Sequence, residues 1–238
     1  MIAFFRIFLI LVIGIFVCFF GVVYCFCSKK KNYSHVRTFG RIFGKFSTLV
    51  GLSVEVKKTH FSFPKKCIYI ANHQNNYDMF TVSNAIPKNT ITVGKKSILF
   101  IPFFGILYWI TGNLLIDRKN FFNSFNVIER IVEKVNKHIC VLIFPEGTRS
   151  YSKKLLKFKK GAFYSAISAK VPIVPICSSS TYKQVDLNRF SNGKVIIEIL
   201  NPIDTKNYKI TQVNHLTKYC WNIMEKKIQS LNKEVKNK

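Results

Sequence analysis

KCIYIANHQNNYD, residues 66–78, joins two patterns that do not belong to one element. Lys66–Ala71 closes on an apolar run, as a strand buried on both faces of a sheet does. The next residues, Asn72, His73, Gln74, Asn75, Asn76, Tyr77 and Asp78, are polar or titratable. Asp78–Ala85 then reads as a helix that stops before Pro87. A buried strand that surfaces into a polar loop and continues as a helix is the repeating unit of α/β folds. In such folds catalytic groups gather where strands end in loops.

The same alternation recurs outward from this unit. Thr90–Val93 and Leu114–Ile116 read as strands, and Phe121, Phe125, Ile128, Ile131, Val132 and Val135 give helical spacing over Phe121–Lys137. Ile139–Phe144 is an unbroken apolar strand ending at Pro145. Gly161–Ala169 is helical, VPIVPI at Val171–Ile176 extended, Val195–Leu200 a strand and Tyr208–Leu231 a closing helix. The expected fold class is α/β, a mixed sheet flanked by helices. The 238 residues suit one such domain plus an appendage.

The appendage is apolar. Ile7–Phe26 (IFLILVIGIFVCFFGVVYCF) carries no charge and has the ~20 residues needed to cross a ~30 Å hydrocarbon core. It is too long for the core of a signal peptide and lacks a small-x-small cleavage site. An uncleaved transmembrane or membrane-embedded helix is expected. Lys29, Lys30 and Lys31 against Arg6 place the following domain on the cytoplasmic side of the inner membrane. Val36, Phe39, Phe43, Phe46 and Val50, widened by Ile42 and Leu49, form an apolar stripe, with Arg37, Arg41 and Lys45 elsewhere on the wheel. This is a basic amphipathic helix, and its position after an anchor favours the membrane interface over docking on the protein's own core. The division expected is 1–52 for anchor and interfacial helix and 53–238 for the catalytic domain.

Lys and Arg number 37 against 11 Asp and Glu, a formal charge of +26. Such a chain attracts anions, whether lipid headgroups, phosphorylated substrates or nucleic acid. The lysines are scattered and no nucleic-acid-binding motif accompanies them, so no nucleic-acid partner is expected. Seven cysteines show neither a CxxC pair nor a Cys/His metal spacing. They read as reduced, buried thiols, with no metal site.

Two stretches carry chemistry. A neutral imidazole accepts a proton near neutral pH, and a carboxylate on its other nitrogen fixes the tautomer and stabilises the imidazolium. His73 and Asp78 offer that dyad, although a solvated Asn-rich turn has the same composition. In FPEGTRS, Phe144–Ser150, Pro145 and Gly147 bend the chain so that backbone N–H groups, Thr148 and Arg149 converge on one anion. Glu146 binds a substrate hydroxyl or holds Arg149; a turn closed by a Glu–Arg pair is the simpler alternative.

Taken together, NHxxxxD and, some 70 residues later, FPEGTRS resemble the glycerolipid acyltransferase family, in particular its 1-acylglycerol-3-phosphate branch. GNLLIDR at Gly112–Arg118 matches a further family block, with Leu115 where Phe is usual, and VPIVPI matches another. Lys95–Gly105 (KKSILFIPFFG) and Lys160–Gly161 also fit. The resemblance implies that His73 is the general base and Asp78 its orienting partner. It implies that Glu146, Gly147 and Arg149 hold the glycerol-phosphate part of an acceptor, with Thr148 assisting, Arg118 as a second phosphate ligand and Lys95 in reach of the phosphate. Pro175 would shape acyl-donor or core packing. The implied reaction transfers a fatty acyl group from acyl-CoA or acyl carrier protein to the sn-2 hydroxyl of lysophosphatidic acid, giving phosphatidic acid. No cofactor is implied beyond that co-substrate, and membrane lipids are the expected partners. A family member acylating glycerol-3-phosphate or another lysophospholipid is the alternative within the class. A basic membrane-tethered anion-binding or nucleic-acid-binding protein is the alternative outside it.

Overall fold

The structure, a computed structural model, describes residues 1–29, 32–57, 61–117, 124–152 and 154–237. Seven strands form one sheet. They are β1 (Ser53–Val56), β2 (Ile68–Ala71), β3 (Thr90–Lys95), β4 (Leu114–Ile116), β5 (Cys140–Ile143), β6 (Ile173–Ser178) and β7 (Lys194–Ile199). Their order is β1-β7-β6-β2-β5-β3-β4. Strands β2 to β6 run parallel, whereas β7 is antiparallel to β6 and β1 follows β7 in parallel. The sheet is mixed, as expected, and the carboxyl ends of its five parallel strands share one edge.

Side-chain alternation divides the core between two faces. Ile68 and Ile70 of β2 enter one cluster with Ile131 and Val135 of α6 (Ser124–Asn136), Phe163 and Ala166 of α7 (Gly161–Ala169), and Leu216 and Met224 of α8 (Val213–Lys236). Tyr69 and Ala71 enter the other, with residues of α1 (Ile2–Cys27), α2 (His35–Gly44) and α3 (Phe46–Leu49). Two short helices, α4 (Asp78–Thr81) and α5 (Phe104–Ile110), follow β2 and β3.

Several expectations change here. The amphipathic helix exists, but Val36, Phe39, Phe43, Phe46 and Val50 are each less than 10 % exposed and pack against the protein's own core. Lipid and protein interior are equally apolar, so the stripe alone did not distinguish them. The helix after β2 tightens into a 3₁₀ turn at Val82–Ala85. Strand β1 and helix α5 were not legible in the sequence; β1 is too short and too exposed to show a pattern. Pro175 lies inside β6, a central strand. Cys27 is exposed while the other six free cysteines are buried. Residues 121–123 and Lys30 and Lys31 lie outside the described residues.

Helix α1 is long and apolar enough to cross a membrane, and it leaves most of its surface uncovered. Phe4, Phe8, Leu11, Phe16 and Phe20 are among its exposed side chains. It does not stand apart from the domain, however. At its amino end Arg6 Nη2 donates to the Phe190 carbonyl at 2.9 Å and Nη1 to that of Leu187 at 3.2 Å. Near its other end Tyr24 packs edge-on against His35 and Phe39. Segment 1–52 therefore contributes to the same core as 53–238.

Candidate active site

The dyad is built on the turn that follows β2. Asp78 opens α4, and its side chain is 3 % exposed. Its Oδ2 accepts from the backbone N–H groups of Gln74, at 2.6 Å, and Asn75, at 3.2 Å, and lies 2.6 Å from His73 Nδ1. With Oδ2 already accepting two backbone N–H groups, the contact suits Nδ1 as donor and leaves the Nε2 lone pair for a substrate proton. The imidazole stacks on Phe144, centroid to centroid 4.2 Å, and remains 15 % exposed. Asp78 Oδ1 is buried with no hydrogen-bond partner among the described residues.

Asn76 is exposed, but three of the loop's other polar residues are anchored and do not form a solvated turn. Asn72 exchanges two hydrogen bonds with the Ser178 backbone at 2.8 and 3.0 Å. Gln74 Nε2 donates to the Ser179 carbonyl, and its Oε1 accepts from Thr181 N–H, both at 2.8 Å. Asn75 Nδ2 donates to Thr181 Oγ1 at 2.7 Å. The amides thus clamp the loop onto the end of β6. The sequence signal for this clamp is the Ser/Thr run 178–181 after VPIVPI.

The FPEGTRS turn leaves β5, the strand beside β2, and is pinned to the dyad loop. Ser150 and Tyr151 donate their backbone N–H groups to the carbonyls of His73 and Gln74, each at 2.9 Å. Gly147 adopts φ +72°, the left-handed region that favours glycine. Thr148 and Arg149 are exposed, and Arg149 Nη1 donates to Tyr151 Oη at 3.0 Å.

Glu146 lies buried beneath the dyad loop. It is 3 % exposed, and its carboxylate accepts from His73 N–H at 2.6 Å and Leu156 N–H at 2.9 Å. Both oxygens accept from backbone N–H groups, and no Glu146–Arg149 ion pair forms among the described residues. Burial pushes its carboxyl up to about 7, against the two amide hydrogen bonds that favour the ionised form. Glu146 thus ties the His73 backbone to the segment around Leu156.

Lys95 is exposed at the carboxyl end of β3, two strands from β2 and so on the order of 10 Å along the same edge. Arg118 follows β4 by two residues and lies outside the described residues.

This edge offers a His–Asp pair suited to take a proton from a hydroxyl, and the turn pinned to it carries an exposed guanidinium that suits a phosphate. A family model described as Acyltransferase matches residues 53–179, which include the dyad loop and FPEGTRS. The 1-acyl-sn-glycerol-3-phosphate acyltransferase of Escherichia coli (strain K12) is 51 % identical over 97 % of this chain and 95 % of its own. That of Haemophilus influenzae is 46 % identical over 97 % of this chain and 96 % of its own. The crystal structure of the 1-acyl-sn-glycerophosphate acyltransferase from Thermotoga maritima superposes with a TM-score of 0.78 over 97 % of this chain and 94 % of that one. Its identity of 23 % makes this a likeness of fold. Matched over more than half its length by the family model, and nearly end to end by two relatives that bear one name, the chain belongs to the acyltransferase family.

Proposed function

We propose that the site transfers a fatty acyl group from an acyl thioester to the sn-2 hydroxyl of 1-acyl-sn-glycerol-3-phosphate, giving phosphatidic acid. The observation that carries this reading is the 2.6 Å contact between His73 Nδ1 and Asp78 Oδ2, which leaves Nε2 basic at an open edge. His73 Nε2 takes the hydroxyl proton as the oxygen attacks the thioester carbonyl. The C–O bond forms, the tetrahedral oxyanion collapses, the C–S bond breaks, and the imidazolium returns the proton to the departing thiolate. Asp78 stabilises the imidazolium while it exists. Arg149, and Arg118 in the family's pattern, meet the acceptor phosphate, with Gly147 letting the turn approach closely and Thr148 beside it. Lys95 stands further along the edge toward the headgroup. The donor is acyl-CoA or acyl carrier protein, with no other cofactor.

The protein works at the membrane, where its acceptor and product reside. The contacts at both ends of α1 favour a helix lying along the domain within one leaflet over one that crosses the bilayer. The location proposed is the cytoplasmic membrane, with the domain facing the cytoplasm.

The test is thiol release by membranes containing the protein, from acyl-CoA and acyl carrier protein in parallel. Each donor is run with lysophosphatidic acid, glycerol-3-phosphate or no acceptor. Release should need lysophosphatidic acid and should fall ~10²–10⁴-fold in His73→Ala, the usual contribution of a positioned base. Release with glycerol-3-phosphate alone would overturn the acceptor, and near-normal turnover in the variant would overturn the base.

A further inference from the structure

The chain that leaves β3 is apolar where it is most exposed. It passes through the 3₁₀ turn Lys96–Phe100 into α5, which buries Gly105 and Leu107. On the outside, Phe100 is 82 % exposed, Trp109 63 %, Ile106 50 % and Ile101 48 %. An apolar cluster of this kind marks a contact surface and is not an ordinary soluble exterior.

What covers it follows from its neighbour. Helix α5 packs on α1: Phe103 meets Phe19 edge-on at 6.1 Å, and a Cβ added at Gly21 would come within 3.1 Å of Leu107 Cδ1. The uncovered side of α1, with Phe16 and Phe20, thus continues into the uncovered side of α5. A helix embedded in lipid carries anything packed beside it to the same depth. The margin of the cluster is basic, since Lys95 and Lys96 are exposed where β3 ends. Lysines there suit anionic headgroups, and tryptophan prefers the headgroup level of a bilayer.

We infer that Phe100–Trp109 inserts into the leaflet that holds α1, as a second membrane contact that brings the carboxyl-terminal edge of the sheet to the lipid surface. Strand β3 stands two strands from β2, so this contact lies on the order of 10 Å from the His73 loop. The lipid contact stands on the exposed surface and its continuity with α1. Only its use, admission of a lipid acceptor sideways from the leaflet, rests on the acyltransferase reading.

The two tryptophans make the test direct. Trp221 lies on α8, its ring N–H bound to the Leu156 carbonyl at 2.9 Å. Full-length Trp221→Phe protein, reconstituted in phosphatidylcholine–phosphatidylglycerol vesicles, reports on Trp109 alone. Bromines on the acyl chains should remove roughly half or more of its emission, aqueous iodide should leave it unchanged, and the depth should be about 5–10 Å. If Trp221→Phe does not fold, wild-type emission minus that of Trp109→Phe gives the same signal. Iodide quenching without bromine quenching, in protein that floats with the vesicles, would overturn the inference. Protection from both quenchers would mean that protein covers the surface, a second copy for instance, and would overturn it equally. Because neither readout involves turnover, failure of the lipid contact and failure of the acyltransferase reading are separable.

Discussion

Asp78→Asn separates the two services a carboxylate gives a catalytic histidine. In many dyads the new amide flips, puts its NH₂ toward the imidazole and installs the wrong tautomer, a loss of ~10⁴ in turnover. Here the flip is opposed. The Oδ2 position receives three donors, from His73 Nδ1, Gln74 N–H and Asn75 N–H. An NH₂ there would leave buried donors facing a donor, at ~1–3 kcal/mol for each. The amide oxygen therefore stays at the Oδ2 position and the tautomer survives. What disappears is the negative charge. At an effective dielectric near 20, unit charges about 4 Å apart interact by about 4 kcal/mol. A partly developed imidazolium realises about 2–3 kcal/mol of that, or ~10²-fold in rate. The assay is turnover at saturating thioester and acceptor in detergent, with ¹⁵N shifts of His73 to read the tautomer. A ~10⁴-fold loss with a reversed tautomer would refute the backbone clamp, and an unchanged rate would refute the imidazolium. The new NH₂ takes the Oδ1 position, where the wild-type oxygen also has no partner among the described residues, so this exchange adds little to the effect on stability.

Glu146→Gln should alter how stability depends on pH. A folded-state value raised from 4.5 to about 7 means that the native protein keeps the proton after the unfolded chain releases it. The contribution is present in full below 4.5 and declines until pH rises past about 7, by about 3 kcal/mol in all. Thermal unfolding in detergent at pH 5 and pH 8 should show wild type losing about that much relative to the non-titrating variant, and a constant difference would remove the raised value. Arg149→Lys keeps the charge and loses the planar fork, so the Michaelis constant for the phosphorylated acceptor should rise with little change in turnover; an unchanged constant would make Arg149 structural. Gly147→Ala should destabilise the turn by ~1–2 kcal/mol, since φ is +72° and the added Cβ would lie 2.7 Å from Lys159 Cε. An unaltered melting temperature would contradict that strain.

The sequence by itself determined what depends on near neighbours. Apolar runs of strand length between helical periods were enough to give α/β, because burial on both faces leaves no polar positions in a strand. The His73–Asp78 pair was legible because both residues lie on one turn. The uncharged length of α1 was legible because hydropathy is a property of composition. The tertiary structure alone decided what depends on distant partners. Parallel pairing of β2 with β5, strands more than 70 residues apart, put the FPEGTRS turn against the His73 loop. The same pairing buried Glu146 beneath the loop, where its carboxylate holds the His73 backbone. Docking of α2 turned its stripe inward, a choice between two apolar environments that periodicity cannot make. Attachment of Arg6 to the Leu187 and Phe190 carbonyls laid α1 along the domain, a contact across more than 180 residues that no local pattern encodes.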